Sequence, residues 1–351
     1  NEDDKTVAVS MGVPANAAQG KVATSTVTIV NTDPEPTVSF GSGSSSGEET
    51  TSPVRLEVKL SAPSGKPVTV GYAVTGGTAI LGKDYALAAG VLSFEPGETS
   101  KAIEIDIKNH GIYDDDKTIT LALKNPKNAV LGSTAVHTRT IVHTAPQPAV
   151  AFLSAISRGD EKTSSVLIPV SLSAPSGKPV TVEYAVTGGT AESGKQYALK
   201  GTSLTFAPGE TLKELELTVK DDGVNRDDRT VAVSLKDPKN AVLGGTAMHT
   251  YTIIDSNPGP AVTFTTAGQQ VKESAGTATI GVELSAISGK DVTVPLMVSG
   301  TAKTPGNYTA PGPVVIKAGT KSASITVQVV ANGLNEDDKT VAVSMGVPAN
   351  A

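Results

Sequence analysis

Internal repetition constrains this chain more than any single motif. The segment LSAPSGKPVTVGYAVTGGTAILGKDYAL at 60–87 returns as LSAPSGKPVTVEYAVTGGTAESGKQYAL at 172–199, and a diverged copy, LSAISGKDVTVPLMVSG, begins at 284. Leu60, Leu172 and Leu284 stand 112 residues apart, as do Val38, Val150 and Val262. The turn glycines Gly111, Gly223 and Gly333 follow at 112 and then 110, because the third copy is shorter at GTAKTPGNY. A longer period overlies this one. Residues 1–17, NEDDKTVAVSMGVPANA, are identical to 335–351, an offset of 334 made of two periods of 112 and one of 110. Self-similarity at a fixed period is the mark of an array of one structural unit. The map that follows has 1–33 as the C-terminal strands of a third-type repeat, 34–145 and 146–257 as complete repeats, and 258–351 as a repeat lacking its last strand. The parent is expected to repeat a three-domain unit. A two-stranded hairpin at 1–33 is marginal alone, so a neighbouring chain or a continuous polymer should complete it.

Within a repeat the apolar period is two. Val54, Leu56, Val58 and Leu60 alternate with Arg55, Glu57 and Lys59, and Ile103, Ile105 and Ile107 with Glu104, Asp106 and Lys108. This is the pattern of antiparallel strands with one face on a core and one in water. Turn residues separate the runs: Pro63-Ser-Gly65, Gly76-Gly77, Pro96-Gly97 and Asp222-Gly223. Six or seven short strands in ~110 residues predict a two-sheet, all-β sandwich. Gly41-Ser-Gly-Ser-Ser-Ser-Gly47 reads as a flexible inter-strand loop. The equivalent Gly71, Glu183 and Pro295 predict a bulge or an unpaired edge, since proline cannot donate to a ladder. Glu57, Pro169 and Gly281 hint at a second irregular position. Short Pro-x-Pro linkers, Pro34/Pro36, Pro146/Pro148 and Pro258/Pro260, join the repeats. Proline stiffens such junctions, which predicts beads at fixed spacing, each adding about 35–45 Å.

Composition removes most chemistry. There is no Cys, so disulfides, thiolate metal sites and Cys nucleophiles are excluded. Lys plus Arg (29) against Asp plus Glu (35), with no basic block, argues against nucleic acid. No apolar run reaches the ~20 residues of a membrane helix. His137 and His249 occupy the same place in two repeats and so belong to the scaffold. No HExxH, G-x-S-x-G or Walker loop occurs, and the chain is read as no enzyme.

The succession AVTFT…VKES…GTATIGVELS, LSAPSGKPVTVEYAVTGGTA, GKDYAL, LTFAPGET, a DDG turn, DDRTVAVSLKDPKNAVLG and TYTIIDSN resembles the Calx-beta domain, three times over the whole chain. The resemblance implies tandem Ig-like, seven-stranded antiparallel sandwiches. Such domains occur in sodium–calcium exchangers, animal matrix proteins and giant bacterial surface adhesins, and in the exchangers bind calcium at one tip through loop carboxylates. Carried across residue by residue, the early Glu is Glu49, Glu161 and Glu273. The loop Asp is Asp84, Gln196 and Asn307. The acidic pair before the turn glycine is Asn109-His110, Asp221-Asp222 and Ala331-Asn332. The next pair is Asp114 with Asp116, Arg226 with Asp228, and Glu336 with Asp338. Lys117, Arg229 and Lys339 replace the Glu that follows, and the closing position is Asn31, His143 or Asp255. Only the second repeat keeps a calcium set, Glu161, Asp221, Asp222, Asp228 and Asp255. Solvated loop charges with Arg226 and Arg229 as counterions are the plain alternative. The function expected is a structural repeat unit of a long extracellular, cell-surface filament or adhesin that self-associates. The alternative is a calcium-binding regulatory or adhesion module.

Overall fold

In the computed structural model, which describes residues 1–351, the alternating pattern becomes alternating burial: Val54–Leu60 is buried at every apolar position and exposed at every charged one. The chain forms two compact units, Asn1–Pro148 with Ala174–Lys178, and Ala149–Ser173 with Pro179–Ala351. The strands of the first unit are β1 (Lys5–Ser10), β2 (Thr24–Ile29), β3 (Thr37–Phe40), β4 (Ser44–Glu48), β5 (Val54–Leu60), β6 (Val68–Gly77), β7 (Tyr85–Ala86), β8 (Gly90–Phe94), β9 (Ser100–Ile107), β10 (Lys117–Lys127), β11 (Val130–Leu131) and β12 (Val136–Val142). β1 and β2 pair only with each other, and every residue of both is exposed. The rest make two five-stranded sheets, β4-β12-β10-β6-β8 and β11-β3-β5-β9-β7. Val58, Val70, Phe94, Ile105, Ile119 and Leu121 close the core between them. Seven principal strands build this sandwich, with β3 and β4 as halves of one strand that changes sheet at Gly41–Gly43. The ladders are antiparallel except where β11 meets β3 and β12 meets β4.

The second unit repeats the sandwich over Ala149–Ile254, around Phe206, Ile168, Leu215 and Val231. It then continues into a sparser third core. Thr277–Leu284 and Ser322–Val329 pair there, as do Val292–Val294 with Val314–Ile316 and Leu296–Ser299 with Ala342–Met345. Nine apolar side chains are buried in that core, against eighteen and nineteen in the first two. No helix is long and apolar enough to cross a membrane.

Three expectations need correction. Most of the supposed flexible loop, Ser44–Gly47, lies in strand β4 (Ser44–Glu48): Ser45 Oγ meets His137 Nε2 at 2.8 Å and His137 Nδ1 meets Ser42 O at 2.7 Å, pinning the segment to β12. Second, of the bulge or unpaired edge expected at Gly71, only the edge fails: Gly71 pairs with Lys124 on one side and Val91 on the other, while the register against β10 shifts between Lys124 and Lys127, as it does between Thr120 and Leu121, and a shift falls between Thr181 and Glu183 in the second repeat. In the third repeat Pro295 divides the strand between two partners. Third, the ladder is regular at Glu57, Pro169 and Gly281. Pro169 is tolerated because its missing donor faces the side where Ala149–Phe152 ends, and there its carbonyl accepts Leu153 N at 3.1 Å.

One contact recurs at the Ser-Gly-Lys turns. In the first unit Gly65 N donates to Asn1 O at 2.7 Å, and Lys66 pairs with Asp3 at 2.8 Å. In the same unit Gly177 N donates to Tyr113 O at 2.8 Å, and Lys178 pairs with Asp115 at 2.6 Å. In the second unit Gly289 N donates to Asn225 O at 2.8 Å, and Lys290 pairs with Asp227 at 2.8 Å. Ser64, Ser176 and Ser288 are buried, each accepting the N–H of its Lys at 3.0 Å. The approach is close: a Cβ on Gly65 or Gly177 would stand 2.8 or 2.7 Å from the facing turn, closer than such atoms settle, and one on Gly289 would stand 3.0 Å from it.

Candidate metal centre

Parallel pairing at the sheet edge sets up the tip of each complete repeat. In the second repeat Asp160 lies opposite Ile254, so Glu161 and Asp255, the next residues, leave side by side. Asp221 and Asp222 come from the turn after Leu212–Val219, closed by Gly223 with φ +70°. Asp228 precedes the strand Arg229–Lys239.

These carboxylates are engaged by donors. Glu161 Oε1 accepts Asn257 Nδ2 at 2.6 Å and Ser256 N at 3.1 Å, and the same Asn257 amide reaches Asp221 Oδ1 at 3.0 Å. Asp222 Oδ2 takes Gln196 Nε2 at 2.7 Å and Arg226 Nη2 at 2.8 Å. Asp255 Oδ2 accepts Arg226 N at 3.0 Å, and Asp228 Oδ1 accepts Asp255 N at 3.1 Å. No three of them bring one oxygen each within 4.8 Å of the other two. The cavity among Glu161, Gln196, Arg226, Arg229 and Asp255 is about 10 Å³, at the lower limit for one water. Calcium takes six to eight oxygens at about 2.3–2.6 Å, so this arrangement does not fit it unless Arg226 leaves Asp222. The crowding is nevertheless felt: burial, then the charges of Asp255, Asp221 and Asp222, push the Glu161 carboxyl up against the Ser256 N–H bond. The Asn257 amide and the Gly223 N–H hold Asp221 down.

The first repeat uses the same three places differently. Glu48 lies opposite Val142, so Glu49 and His143 emerge together, and His110 occupies the turn after β9. One ligand atom from each of the three lies within 4.8 Å of the others. The Glu49 and His143 side chains are 2% and 3% exposed, with Oε2 and Nδ1 3.1 Å apart. The two imidazoles stack at 5.5 Å. Behind His110, Asp84 Oδ1 meets its Nε2 at 3.2 Å and Lys117 Nζ at 3.3 Å, while Asp84 Oδ2 accepts Ile80 N at 2.7 Å. Burial raises the Asp84 carboxyl, but Ile80 N–H, His110 and Lys117 outweigh it and hold it below the usual range. In the third repeat Glu273 sits on an exposed 3-10 turn and Glu336 pairs with Lys339. In the sequence His110 and His143 register only as lost carboxylates. Their signal was the 112-residue equivalence with Asp222 and Asp255.

The Calx-beta domain profile matches residues 31–145, 143–257 and 255–351. The mouse (Mus musculus) extracellular matrix organizing protein FRAS1 is 25% identical over 213 residues, which is 57% of this chain and 5% of that protein. Sodium/calcium exchanger 1 of the dog (Canis lupus familiaris) is 25% identical over 191 residues, 49% of this chain and 20% of the exchanger. The chain thus spans a small part of either relative. Among solved structures, the crystal structure of CBD12 from CALX1.2 is 19% identical, covers 62% of this chain and 99% of its own, and has a TM-score of 0.32.

Proposed function

We propose, from the premise that this chain belongs to the Calx-beta domain family, that it is a structural repeat unit of a long extracellular surface filament or adhesin, with no enzymatic role. The recurring turn contact carries this reading. A backbone hydrogen bond, a Lys–Asp pair and a closely approached glycine recur at Gly65, Gly177 and Gly289, which is how neighbours in an array fix their spacing. Asn335-Glu-Asp337 repeats the sequence of Asn1-Glu-Asp3, which docks on Ser64-Gly-Lys66. It therefore offers the same surface to a Ser-Gly-Lys turn of a further repeat, in one polymer or between chains. A placement outside the cell agrees with the matrix protein among the relatives and with a cysteine-free composition that resists oxidation.

Electron microscopy of the native assembly tests it. Modules at constant spacing are expected; freely swivelling modules, or an unrepeated cavity holding substrate, refute it. Calcium at the second repeat is the second reading, favoured by the repulsion raising Glu161. Ca²⁺ would displace Arg226 from Asp222. A calcium-dependent rise in melting temperature, lost on Asp222→Asn, supports that reading, and no shift removes it.

A further inference from the structure

We infer that the first repeat holds a divalent transition metal, with zinc(II) the fitting case, through Glu49, His110 and His143. This differs from calcium at the second repeat in both place and chemistry. Buried polar atoms nearly always find a partner. Here four do not: Glu49 Oε2, His110 Nδ1, and both His143 nitrogens. Glu49 Oε2 and His143 Nδ1 approach to 3.1 Å without hydrogen-bond geometry. That spacing is close to the edge of about 3.4 Å between ligands of a tetrahedral zinc with bonds of about 2.0–2.1 Å.

The remaining contacts orient the ligands. Asp84 engages His110 Nε2, which leaves Nδ1, buried and without a partner, as the nitrogen free to ligate. A carboxylate behind a ligating histidine serves this purpose in metal sites. Asp84 is itself fixed by Ile80 N and Lys117. Two imidazoles and one carboxylate select zinc, cobalt, nickel or copper over calcium, which needs more oxygens. The second repeat is an internal control, because Asp222 and Asp255 stand where His110 and His143 do and are partnered by Arg226.

The test uses the full chain, stripped with chelator and titrated with cobalt(II) and zinc(II). One Co²⁺ per chain, with an absorption spectrum of low coordination number, displaced by Zn²⁺ and not by millimolar Ca²⁺, is expected. His110→Asn should weaken binding at least tenfold, and Asp84→Asn about 10–100-fold. His110 lies nearer the surface than His143, so the His110→Asn chain should keep its circular dichroism. If it does not, His110→Asp with His143→Asp, which restores the residue types of the second repeat, replaces it. No stoichiometric binding, equal binding by these variants, or Ca²⁺ displacing Co²⁺ at equal concentration overturns the assignment.

Discussion

Gly289→Ala should loosen the contact between Val224–Asp227 and the Ser288–Lys290 turn while leaving each sandwich intact. The new Cβ would stand 3.0 Å from Arg226 Cβ and 3.1 Å from Asn225 O. Contacts this tight make the facing turn give by a few tenths of an ångström. The 2.8 Å bond from Gly289 N to Asn225 O is then stretched and weakened, and its complete loss would cost about 1 kcal/mol at most. The Lys290–Asp227 pair adds at most about 0.5 kcal/mol, since the Asp227 side chain is 89% exposed. The sum, at most about 1.5 kcal/mol, shifts the closed-to-open ratio by up to roughly 12-fold. Gly289 is not among the positive-φ glycines, so alanine adds no backbone strain within its own repeat. Because the chain has no cysteine, Ser203→Cys and Ser322→Cys accept a dye pair cleanly. Single-molecule energy transfer should broaden in the Gly289→Ala chain while the calorimetric transitions stay in place. An unchanged transfer distribution, or a large loss of melting temperature in the third repeat, would refute the reasoning.

Three further outcomes follow from the second repeat. The Glu161 carboxyl is raised in the folded state, so its contribution is fully present below the unfolded value near 4.3 and lost as pH rises through the folded one; Glu161→Gln should therefore raise the melting temperature at pH 7 and not at pH 3.5. Gly189 has φ +115°, and a Cβ there would overlap Thr230 O, so Gly189→Ala should cost about 3 kcal/mol or more in chemical denaturation. Phe206, fully buried between the sheets, should cost about 3–5 kcal/mol when changed to Ala.

Fold class was legible because alternation over Val54–Leu60 and its counterparts directly reports which face is buried. Sheet-edge detail was not. Ser44–Glu48 carries no apolar signal, and it becomes a strand through its parallel ladder with β12 and the contact of Ser45 with His137, 92 residues away. Pro169 looks like a breaker in sequence, yet it costs nothing where the neighbouring strand has already ended. The acidic positions of the second repeat were identifiable by type and spacing, but not their occupation by Asn257, Gln196 and Arg226. Likewise, that Glu49 and His143 meet depends on a parallel strand pair that alternation cannot reveal.

The hairpin β1–β2 and the third repeat have complementary deficits. Val7, Val9 and Ile29 are 50%, 63% and 56% exposed, whereas their counterparts Ile119, Leu121 and Ile141 are buried to 0–2%. In the third repeat Ala342–Met345, whose sequence recurs at 8–11, pairs on one side only, with Leu296–Ser299. The partner that sequence takes at the hairpin is β2. Appending a second copy of residues 18–33 after Ala351 should therefore place a strand on that edge. Covering one Ile and the flanking Val side chains, together with the strand's backbone hydrogen bonds, opposes the entropy of ordering some ten residues. Each 1 kcal/mol of net gain corresponds to roughly 4–8 °C for a domain of this size. Calorimetry should show the third-repeat transition rising, independently of protein concentration. The same tail with its copy of Ile29 changed to Asp should give no rise. A tail that stays disordered, or one whose effect survives that change, would mean that the bare edge of Ala342–Met345 is not where such a strand belongs.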